Sequence, residues 1–409
     1  MLTCRTCRSN RLYKFLDLGF TPPADQFRRK DQMREPEIHY PLEVCLCEDC
    51  GLVQLAHTVS PEILYRNDYP YESSITKTGK AHWDAFAGHV VSKFKLGKDS
   101  LVVDIGSNVG VLLEAFRNNG AAVQGVDPAA NIVLLAQKRG IETICDFFNA
   151  ESVEQIIAKR GRASVITGTN VFAHIDDLHA LMANVKRLLV EKKGVFIFEA
   201  PYFVNLVNKL EYDTIYHEHL SYLSVKPLVS FFAAHGMEIF DVQLVDIHGG
   251  SFRVYIADKG AYPVEPIVGE LLAKEEAMGL YTRPVLVKFA ADVAKNRAEL
   301  TWLLHSLKRE GKSIVGVSAP AKGMTLLNYC RIGDDLLDAV SEKSTLKIGR
   351  YTPGMHIPVV SDEYLLEHQP DYALLLAWNF ADEIIKNLDG YRKKGGKFIV
   401  PIPMPKIIS

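Results

Sequence analysis

The densest group of chemically reactive side chains lies between residues 212 and 222, where the chain reads YDTIYHEHLSY. This stretch holds three tyrosines, two histidines and two acids between apolar flanks. The spacing is not HExxH, so a zincin-type metalloprotease is excluded. Tyr216, Glu218 and His219 instead form a candidate acid/base cluster, in which an imidazole works near neutral pH, a carboxylate tunes it and a phenol donates. The alternative is a polar turn around a buried, hydrogen-bonded histidine.

A second candidate site lies in the first fifty residues, which contain five of the seven cysteines. Two CxxC pairs, separated by about 40 residues, have the spacing of zinc knuckles. Four thiolates close a tetrahedral site with no position left for water, so the predicted metal is structural. The predicted zinc ligands are Cys4, Cys7, Cys47 and Cys50. Cys45 competes with Cys47, which the knuckle spacing favours; a metal-free set of buried thiols is the alternative.

A third candidate site is the glycine turn in SLVVDIGSNVGVLLEAF, where an apolar strand runs into an amphipathic helix. Asp104 ends the strand, and Gly106 and Gly110 allow backbone amides to approach a ligand closely. About 20 residues later, Asp127 ends a second strand, where an acid receives ribose hydroxyls. The combination indicates an adenosine-type ligand, although the GxxxG turn alone also suits ordinary strand–helix packing.

These sites need scaffolds, and strands alternate with helices from residue 101 to residue 201. The pattern predicts an α/β fold with a doubly wound parallel sheet. Asn170 and His174 follow the fourth strand at the carboxyl edge, where ligands of open sheets bind; capping of the next helix is their alternative role. Downstream, the turn HGGSFRVYI offers His248, Ser251 and Arg253 to a sugar or diphosphate, or is simply the entry to a strand.

The C-terminal part repeats the plan in KSIVGVSAPAKGMTLLNYC, which predicts a second Rossmann-like layer. We read no GxGxxG and no acid at the expected spacing here, so the sequence predicts a domain that closes a cleft and binds no second nucleotide cofactor. Lys322, in the APAKG loop, is a candidate contact for a diphosphate.

Composition narrows the choice of function. The 409 residues predict two or three domains. The net charge of −2 supplies no field for a nucleic acid or an anionic membrane. The N-terminus MLTCRTCRSN has no apolar segment of a signal peptide, and no apolar run is long enough to cross a bilayer. We therefore expect a cytoplasmic protein without nucleic-acid or membrane partners.

Several motifs together carry a family resemblance: CEDCGLVQL, YESSIT, DIGSNVGVLLEAF, GVDPAANI, NVFAHI, IYHEHLSYLS, HGGSFRVY and SAPAKGMTLLNYC. The set resembles the bacterial deoxysugar (nucleotide-sugar) C-methyltransferases, which include the S-adenosylmethionine-dependent 3-C-methyltransferase of D-tetronitrose biosynthesis. The resemblance implies three domains. These are a zinc-binding module over 1–68, a methyltransferase domain with a Rossmann-like fold over 69–258, and a C-terminal Rossmann-like domain over 259–409 that closes the substrate cleft.

The resemblance also implies roles for single residues. His219 becomes the catalytic base, with Tyr216, Glu218, His174 and Tyr71 beside the sugar; Tyr69 competes with Tyr71. The expected cofactor contacts are Asp104, Gly106, Ser107, Asn108, Gly110, Asp127, Pro128, Asp146, Phe147 and Asn170. The expected substrate contacts are Ser73, His248, Ser251, Arg253 and Lys322. Val109 departs from the many relatives with an acid before the second glycine, which weakens the expected contacts to the methionine end of the cofactor.

The implied cofactors are S-adenosyl-L-methionine and a structural Zn²⁺, and the implied partner is a nucleotide-diphosphate 4-keto-6-deoxy sugar. The expected reaction is methylation of the carbon beside the ketone, C3 by resemblance, in a monomer or small homo-oligomer. Three alternatives stay open: a non-catalytic nucleotide-sugar-binding protein, if Val109 abolishes cofactor binding; an O- or N-methyltransferase acting on a nucleotide sugar; and a zinc-ribbon RNA methyltransferase. The last needs a basic stripe that this nearly neutral chain does not supply.

Overall fold

The computed structural model describes residues 2–66, 70, 77–247 and 249–409, without the side chains of residues 77 and 78. The strands are β1 Leu12–Thr21, β2 Tyr40–Cys47, β3 Val53–Leu55, β4 Leu101–Ile105, β5 Ala122–Val126, β6 Thr143–Ile144, β7 Val165–Thr169, β8 Val195–Pro201, β9 Ser221–Tyr222, β10 Met237–Val245, β11 Ser251–Asp258, β12 Ile314–Val317, β13 Val340–Glu342, β14 Val359–Ser361, β15 Tyr372–Leu375, β16 Lys397–Val400 and β17 Lys406–Ile408.

The α-helices are α1 Pro61–Tyr65, α2 Lys77–Phe94, α3 Val111–Asn118, α4 Ala130–Lys138, α5 Ala150–Arg160, α6 Leu178–Leu188, α7 Phe203–Lys209, α8 Val225–Ala234, α9 Pro266–Ala277, α10 Arg283–Arg309, α11 Ala321–Cys330, α12 Glu363–His368, α13 Ala381–Asn387 and α14 Asp389–Lys393. Short 3₁₀ helices cover Lys30–Arg34, Phe172–His174, Tyr212–Thr214 and Trp378–Phe380. In the described part of the chain, no helix is both long enough and apolar enough to cross a membrane.

The central sheet has seven strands in the order β10-β11-β8-β7-β4-β5-β6. Strands β4 to β8 are parallel, which confirms the predicted α/β class. Beyond the strands from which the parallel sheet was predicted, β11 runs antiparallel to both its neighbours. The short turn from Val245 to Ser251 explains this, since a parallel neighbour would need a long crossover connection. The chain order reverses between β4 and β7, which opens a ligand crevice at their carboxyl ends.

The N-terminal sheet has the order β1-β2-β3-β9. Its last strand comes from the middle of the chain, where Tyr222 pairs with Val53 and Ser221 with Gln54. This sheet therefore crosses the boundary predicted at residue 68. Because β9 directly follows the segment with the candidate acid/base residues, the N-terminal sheet fixes one end of that segment.

The C-terminal sheet has the order β14-β13-β12-β15-β16-β17, with only β17 antiparallel. This confirms the second Rossmann-like layer, and its strand order reverses between β12 and β15. The expectation that β13, the second strand of this C-terminal layer, lacks an acid is wrong. Glu342 ends β13, and its carboxylate accepts a hydrogen bond of 2.7 Å from the Ala319 amide in the loop after β12. A strand of three residues gave the sequence too short a pattern to place this acid.

One hydrophobic core joins the three parts of the chain. The largest cluster of buried side chains includes Leu16 from the N-terminal sheet, Phe198 from the central sheet and Leu304 from α10. Helix α10 presents buried residues with helical spacing, among them Leu286, Phe289 and Val293. The catalytic segment between α7 and β9 therefore lies among elements that all pack into the same core.

Candidate active site

The four cysteines of the two CxxC pairs come together. The sulfur atoms of Cys4, Cys7, Cys47 and Cys50 all lie within 4.8 Å of one another. Zinc–thiolate bonds of about 2.3 Å in a tetrahedron place sulfurs roughly 3.8 Å apart, so the cluster fits one zinc ion. Cys45 lies outside the cluster, and burial raises the pKa of its thiol to about 11. The choice of Cys47 over Cys45 is thus confirmed.

Two tight turns shape the cluster. In the first, the Arg8 amide bonds to the Cys4 carbonyl at 2.9 Å, and in the second the Gly51 amide bonds to the Cys47 carbonyl at 2.9 Å. Gly51 has a φ of +86°, and a Cβ atom there would overlap the Tyr281 ring of the loop between α9 and α10. The second knuckle therefore requires glycine both for its backbone conformation and for its packing.

We expect protein purified without chelator to contain about one zinc ion per chain. Cys50→Ser should lose most of this metal and unfold at a lower temperature, because three thiolates bind zinc more weakly and metal binding contributes to folding. Cys45→Ser is the matched control and should keep the metal. Metal analysis and thermal unfolding measure both effects. Equal zinc contents in Cys50→Ser and the native protein would contradict the assignment.

The predicted cofactor loop follows β4. Asp127 accepts hydrogen bonds of 2.9 Å from the amides of Asn108 and Ala129, and it therefore ties this loop to the end of β5. Burial raises the pKa of Asp127, and the two amide donors counteract that effect. The carboxylate keeps further lone pairs for the hydroxyls of a ribose. These contacts match the acid expected at the second strand.

Both glycines of the loop have positive φ angles, +64° at Gly106 and +79° at Gly110. A Cβ atom at Gly106 would overlap Val171, and one at Gly110 would press on Ile141. The packing alternative therefore accounts for both glycines by itself. Val109 is only 2% exposed and belongs to a hydrophobic cluster. Val109, at the position where many relatives have an acid, thus fills part of the hydrophobic core in this protein.

Two other predicted cofactor residues, Asp104 and Ser107, lie at the carboxyl end of β4 and in the loop that follows it. Asp104 is buried and accepts a hydrogen bond of 2.7 Å from the Thr167 hydroxyl. Burial raises its pKa to about 7, and the charge of Asp127 adds to this. The Ser107 hydroxyl is buried without a partner and lies against Gly125, on the inner side of the loop.

The rest of the predicted cofactor set lies in the loops that follow β5, β6 and β7. Asp146 accepts hydrogen bonds from the Phe147 amide at 2.8 Å and from Asn149 at 3.1 Å. Arg66 pairs with Asp146 at 3.4 Å and lies 5.1 Å from the centre of the Phe147 ring. Pro128 follows Asp127 directly. Asn170 has a φ of +56° at the carboxyl edge of β7.

The histidine pair is the centre of the candidate active site. The rings of His219 and His174 lie 5.0 Å apart, and the Tyr216 ring lies 3.9 Å from that of His219. The Nδ1 atom of His219 is 2.7 Å from the carbonyl oxygen of Thr214. Burial lowers the pKa of His174 well below its usual value, and the neighbouring His219 lowers it further. His174 is therefore neutral at physiological pH.

Tyr65, at the end of α1, is a member of this group that the sequence reading missed. Its hydroxyl is 3.3 Å from His174 Nδ1, and the two rings stack at 6.1 Å. Burial raises the pKa of Tyr65 well above its usual value, and the charge of the buried Glu218 raises it further. The hydroxyl therefore stays protonated. The sequence signal that could have identified Tyr65 is its position just before the tyrosine-rich stretch around residue 70.

The other histidine of the segment points elsewhere. His217 is 1% exposed, and its Nε2 atom lies 3.3 Å from the Tyr40 carbonyl of the N-terminal sheet. Burial lowers its pKa to about 4. Of the two histidines in YHEH, only His219 is placed next to His174.

A second buried polar group lies on the C-terminal side of the segment. Asp213 accepts a hydrogen bond of 2.6 Å from Trp378 Nε1, and Lys322 lies 4.7 Å from the centre of that ring and bonds to Asn379. Burial raises the pKa of the neighbouring Glu211 to about 7. Except for Lys322, the sequence reading missed this group, because its members are far apart in the chain.

The remaining predicted substrate residues divide into two sets. Arg253 forms an internal ion pair of 2.7 Å with Glu199, which is fully buried, and Ser251 donates a hydrogen bond of 3.2 Å to the Ile247 carbonyl. The structure thus commits both side chains to internal contacts. The other predicted residues lie outside the described part of the chain: Tyr71, its competitor Tyr69, Ser73 and His248.

Three family models match consecutive parts of the chain. They are described as "Putative zinc binding domain" over residues 4–65, "Methyltransferase domain" over residues 81–242 and "C-methyltransferase C-terminal domain" over residues 246–403. Together with the central sheet, these matches define the class of the protein as an S-adenosylmethionine-dependent methyltransferase.

Comparison with known proteins gives the family. C-methyltransferase NovU of Streptomyces niveus is 38% identical over 407 residues, which cover 99% of this chain and 96% of that protein. The ubiquinone biosynthesis O-methyltransferase of Glaesserella parasuis serovar 5 is 29% identical over 106 residues, 24% of this chain and 43% of that protein. A structure of magnesium protoporphyrin IX methyltransferase from Synechocystis PCC 6803 with bound SAH covers 47% of this chain and 92% of its own, at 15% identity and a TM-score of 0.35. The near full-length match shows that this chain belongs to the C-methyltransferase family.

Asp127→Asn should weaken binding of S-adenosylmethionine by about 10- to 100-fold. The substitution removes the charge of an acceptor, and hydrogen bonds to charged groups contribute about 1.5–3 kcal/mol. Titration calorimetry measures the change. Asp99→Asn, in an exposed turn, is the matched control and should bind as the native protein does. Native affinity in Asp127→Asn would exclude the proposed contact.

The raised pKa of Asp104 predicts a pH dependence of stability. Its carboxyl group titrates near 7 in the folded protein and near 3.8 without the fold. The stabilisation that this group contributes is therefore present at low pH and lost as the pH rises through about 7. Urea unfolding of the native protein and of Asp104→Asn should show the native protein losing stability relative to the variant over this range. A difference that stays constant with pH would contradict the assignment.

Proposed function

We propose that this C-methyltransferase methylates the carbon beside the ketone, C3, of a nucleotide-linked 4-keto-6-deoxy sugar, with His219 as the base. The observation that carries the proposal is the 2.7 Å hydrogen bond between His219 Nδ1 and the Thr214 carbonyl. It fixes one ring nitrogen of an imidazole whose neighbours are the neutral His174 and Tyr216. Tyr65 contacts His174 in turn.

The hydrogen bond determines which nitrogen of His219 acts as the base. A carbonyl oxygen only accepts hydrogen bonds, so Nδ1 carries the proton in the neutral ring. The lone pair then resides on Nε2, which is the form needed to remove a proton from carbon. A C–H bond beside a ketone is acidic enough for this step because the product is an enolate. After the transfer, the same carbonyl stabilises the imidazolium.

His174 supplies a donor for the enolate oxygen. The Tyr65 hydroxyl stays protonated and lies 3.3 Å from His174 Nδ1. We assign the hydroxyl as the donor of this bond, which places the proton of the neutral ring on Nε2. Among the residues that the structure describes, that buried Nε2 atom has no hydrogen-bond partner. A buried neutral N–H that lacks a partner gains a strong bond when negative charge develops on a nearby oxygen. We assign this role to His174, with Tyr65 fixing its ring.

The residues of the central sheet fit S-adenosylmethionine. Asp127 would receive the ribose hydroxyls, Asp146 and Phe147 would lie beside the adenine, and Asp104 would lie below the loop of Gly106. When bound, this cofactor supplies an electrophilic methyl group. The crevice that holds it opens at the carboxyl edge between β4 and β7, and His174 follows β7 at the same edge.

The C-terminal sheet supports a nucleotide-linked substrate. Its own crevice lies outside the carboxyl ends of β12 and β15, where open α/β sheets bind ligands. Lys322 and Trp378 follow these two strands, and Glu342 ends β13 in the position of a ribose-binding acid. The nucleotide of the substrate would rest here while its sugar reaches His219. This is how the C-terminal domain would close the cleft.

The direct test is incubation of the protein with S-adenosylmethionine and dTDP-, GDP- and CDP-linked 4-keto-6-deoxy sugars, followed by mass spectrometry. A gain of one CH₂ at carbon, located by NMR, supports the proposal. Methylation at oxygen or nitrogen would favour the other sugar methyltransferases instead. Affinity for RNA that falls steeply with salt would favour the zinc-ribbon RNA methyltransferase.

His219→Asn should reduce kcat by about 10²- to 10⁴-fold, because a positioned general base contributes this much to rate. Binding of both ligands should change little, and calorimetry checks this separately. His305→Asn, exposed on α10, is the matched control and should keep the native rate. Native turnover in His219→Asn would show that another group removes the proton.

A further inference from the structure

The carbonyl that orients His219 lies next to a contact between two domains. Thr214 ends the 3₁₀ turn Tyr212–Thr214, and Asp213 in the same turn accepts the 2.6 Å hydrogen bond from Trp378 Nε1. Trp378 belongs to the C-terminal domain and begins the 3₁₀ helix after β15. The two residues are 165 positions apart in the chain, so this contact exists only in the folded protein.

Asp213 depends on this donor. Its side chain is fully buried, and no residue in the described part of the chain forms a hydrogen bond with its Oδ1 atom. Burial raises the pKa of Asp213, while Lys322, Trp378 and the backbone amides of Asp213 and Thr214 favour its charged form. The carboxylate is thus held between the Trp378 indole and the backbone that carries the Thr214 carbonyl. Loss of the indole N–H would leave a buried acid without its hydrogen-bonded side-chain partner.

A second donor from the C-terminal domain acts on the next carbonyl. The Thr325 hydroxyl of α11 donates a hydrogen bond of 3.1 Å to the carbonyl oxygen of Ile215. The peptide that carries the Thr214 oxygen therefore lies between two points fixed by the C-terminal domain, Asp213 before it and Ile215 after it. Because the peptide group is planar and moves as one unit, fixing the residues on both sides restrains the directions in which the Thr214 oxygen can point.

We propose that Trp378 is a positioning residue for the reaction, through which the C-terminal domain sets the orientation of His219. The route is the Trp378 indole, the Asp213 carboxylate, the Thr214 carbonyl and the His219 imidazole. The Trp378 ring also contacts the Lys322 ammonium, in the crevice where the proposed function places the nucleotide. This part of the proposal rests on the proposed function; the orientation of the imidazole does not.

Trp378→Phe tests the proposal because it keeps an aromatic ring beside Lys322 and removes only the N–H donor. We expect kcat to fall about 10-fold, with KM for the sugar nucleotide and affinity for S-adenosylmethionine within about twofold of native values. Trp302→Phe makes the same change at an exposed position of α10 and should leave all three unchanged. An unchanged kcat, or a rise in KM alone, would overturn the positioning role.

A second set of variants tests whether the two residues act as a unit. If the indole works through Asp213, the double variant that combines Trp378→Phe with Asp213→Ala should have a kcat no more than about twofold below that of Asp213→Ala alone. If the double variant instead lowers kcat by the product of the two separate effects, the proposed route from Trp378 through Asp213 is overturned. Thr325→Val, which keeps the shape of the side chain, should lower kcat in the same way as Trp378→Phe.

A spectroscopic readout separates this proposal from the proposed function. Histidine ¹⁵N spectra of the protein without substrate should show His219 in its Nδ1–H form in the native protein and in Trp302→Phe. Trp378→Phe should show a mixture of both tautomers. A native spectrum in Trp378→Phe would overturn the proposal even if the enzyme methylates the expected sugar, and failure to methylate any sugar would leave this readout valid.

Discussion

The hydrogen bond between His219 and the Thr214 carbonyl is the contact on which the proposed chemistry depends. It lies in a segment with little regular structure, between α7 and β9, and such segments are usually mobile. Here both flanking modules hold it. The N-terminal sheet pairs with β9 and receives His217, and the C-terminal domain contacts Asp213 and Tyr212, the latter through a 2.7 Å bond to Asn296. The N-terminal sheet therefore anchors the segment of the candidate active site from one side.

Burial sets the protonation states around the site. It lowers the pKa of His174 and of Lys322 and raises those of Glu211 and Tyr65, so each of these groups is shifted toward its neutral form. In the proposed mechanism a neutral His174 is the useful form, since it would donate to a developing enolate without first repelling the protonated His219. The low dielectric therefore serves the reaction as well as the fold.

Local patterns were readable from the sequence. The CxxC spacing gave the metal ligands, and the alternation of strands and helices gave both Rossmann-like layers. The IYHEHLSYLS motif located His219. What the sequence could not give depends on contacts between distant residues: the pairing of β9 with β3, the Tyr65–His174 pair and the Trp378–Asp213 bond. Other features, such as Glu342 at the end of β13, were not predicted because the strands that carry them are short.

The most direct test of the account is deuterium exchange at carbon. The protein is incubated in D₂O with a nucleotide-linked 4-keto-6-deoxy sugar and S-adenosylhomocysteine, which cannot donate a methyl group. In the proposed mechanism His219 removes the proton before carbon attacks the methyl group. We therefore predict that deuterium enters only at the carbon beside the ketone, and that NMR detects it. A sugar that is bound and later methylated at carbon, yet never exchanges this hydrogen, would contradict the account.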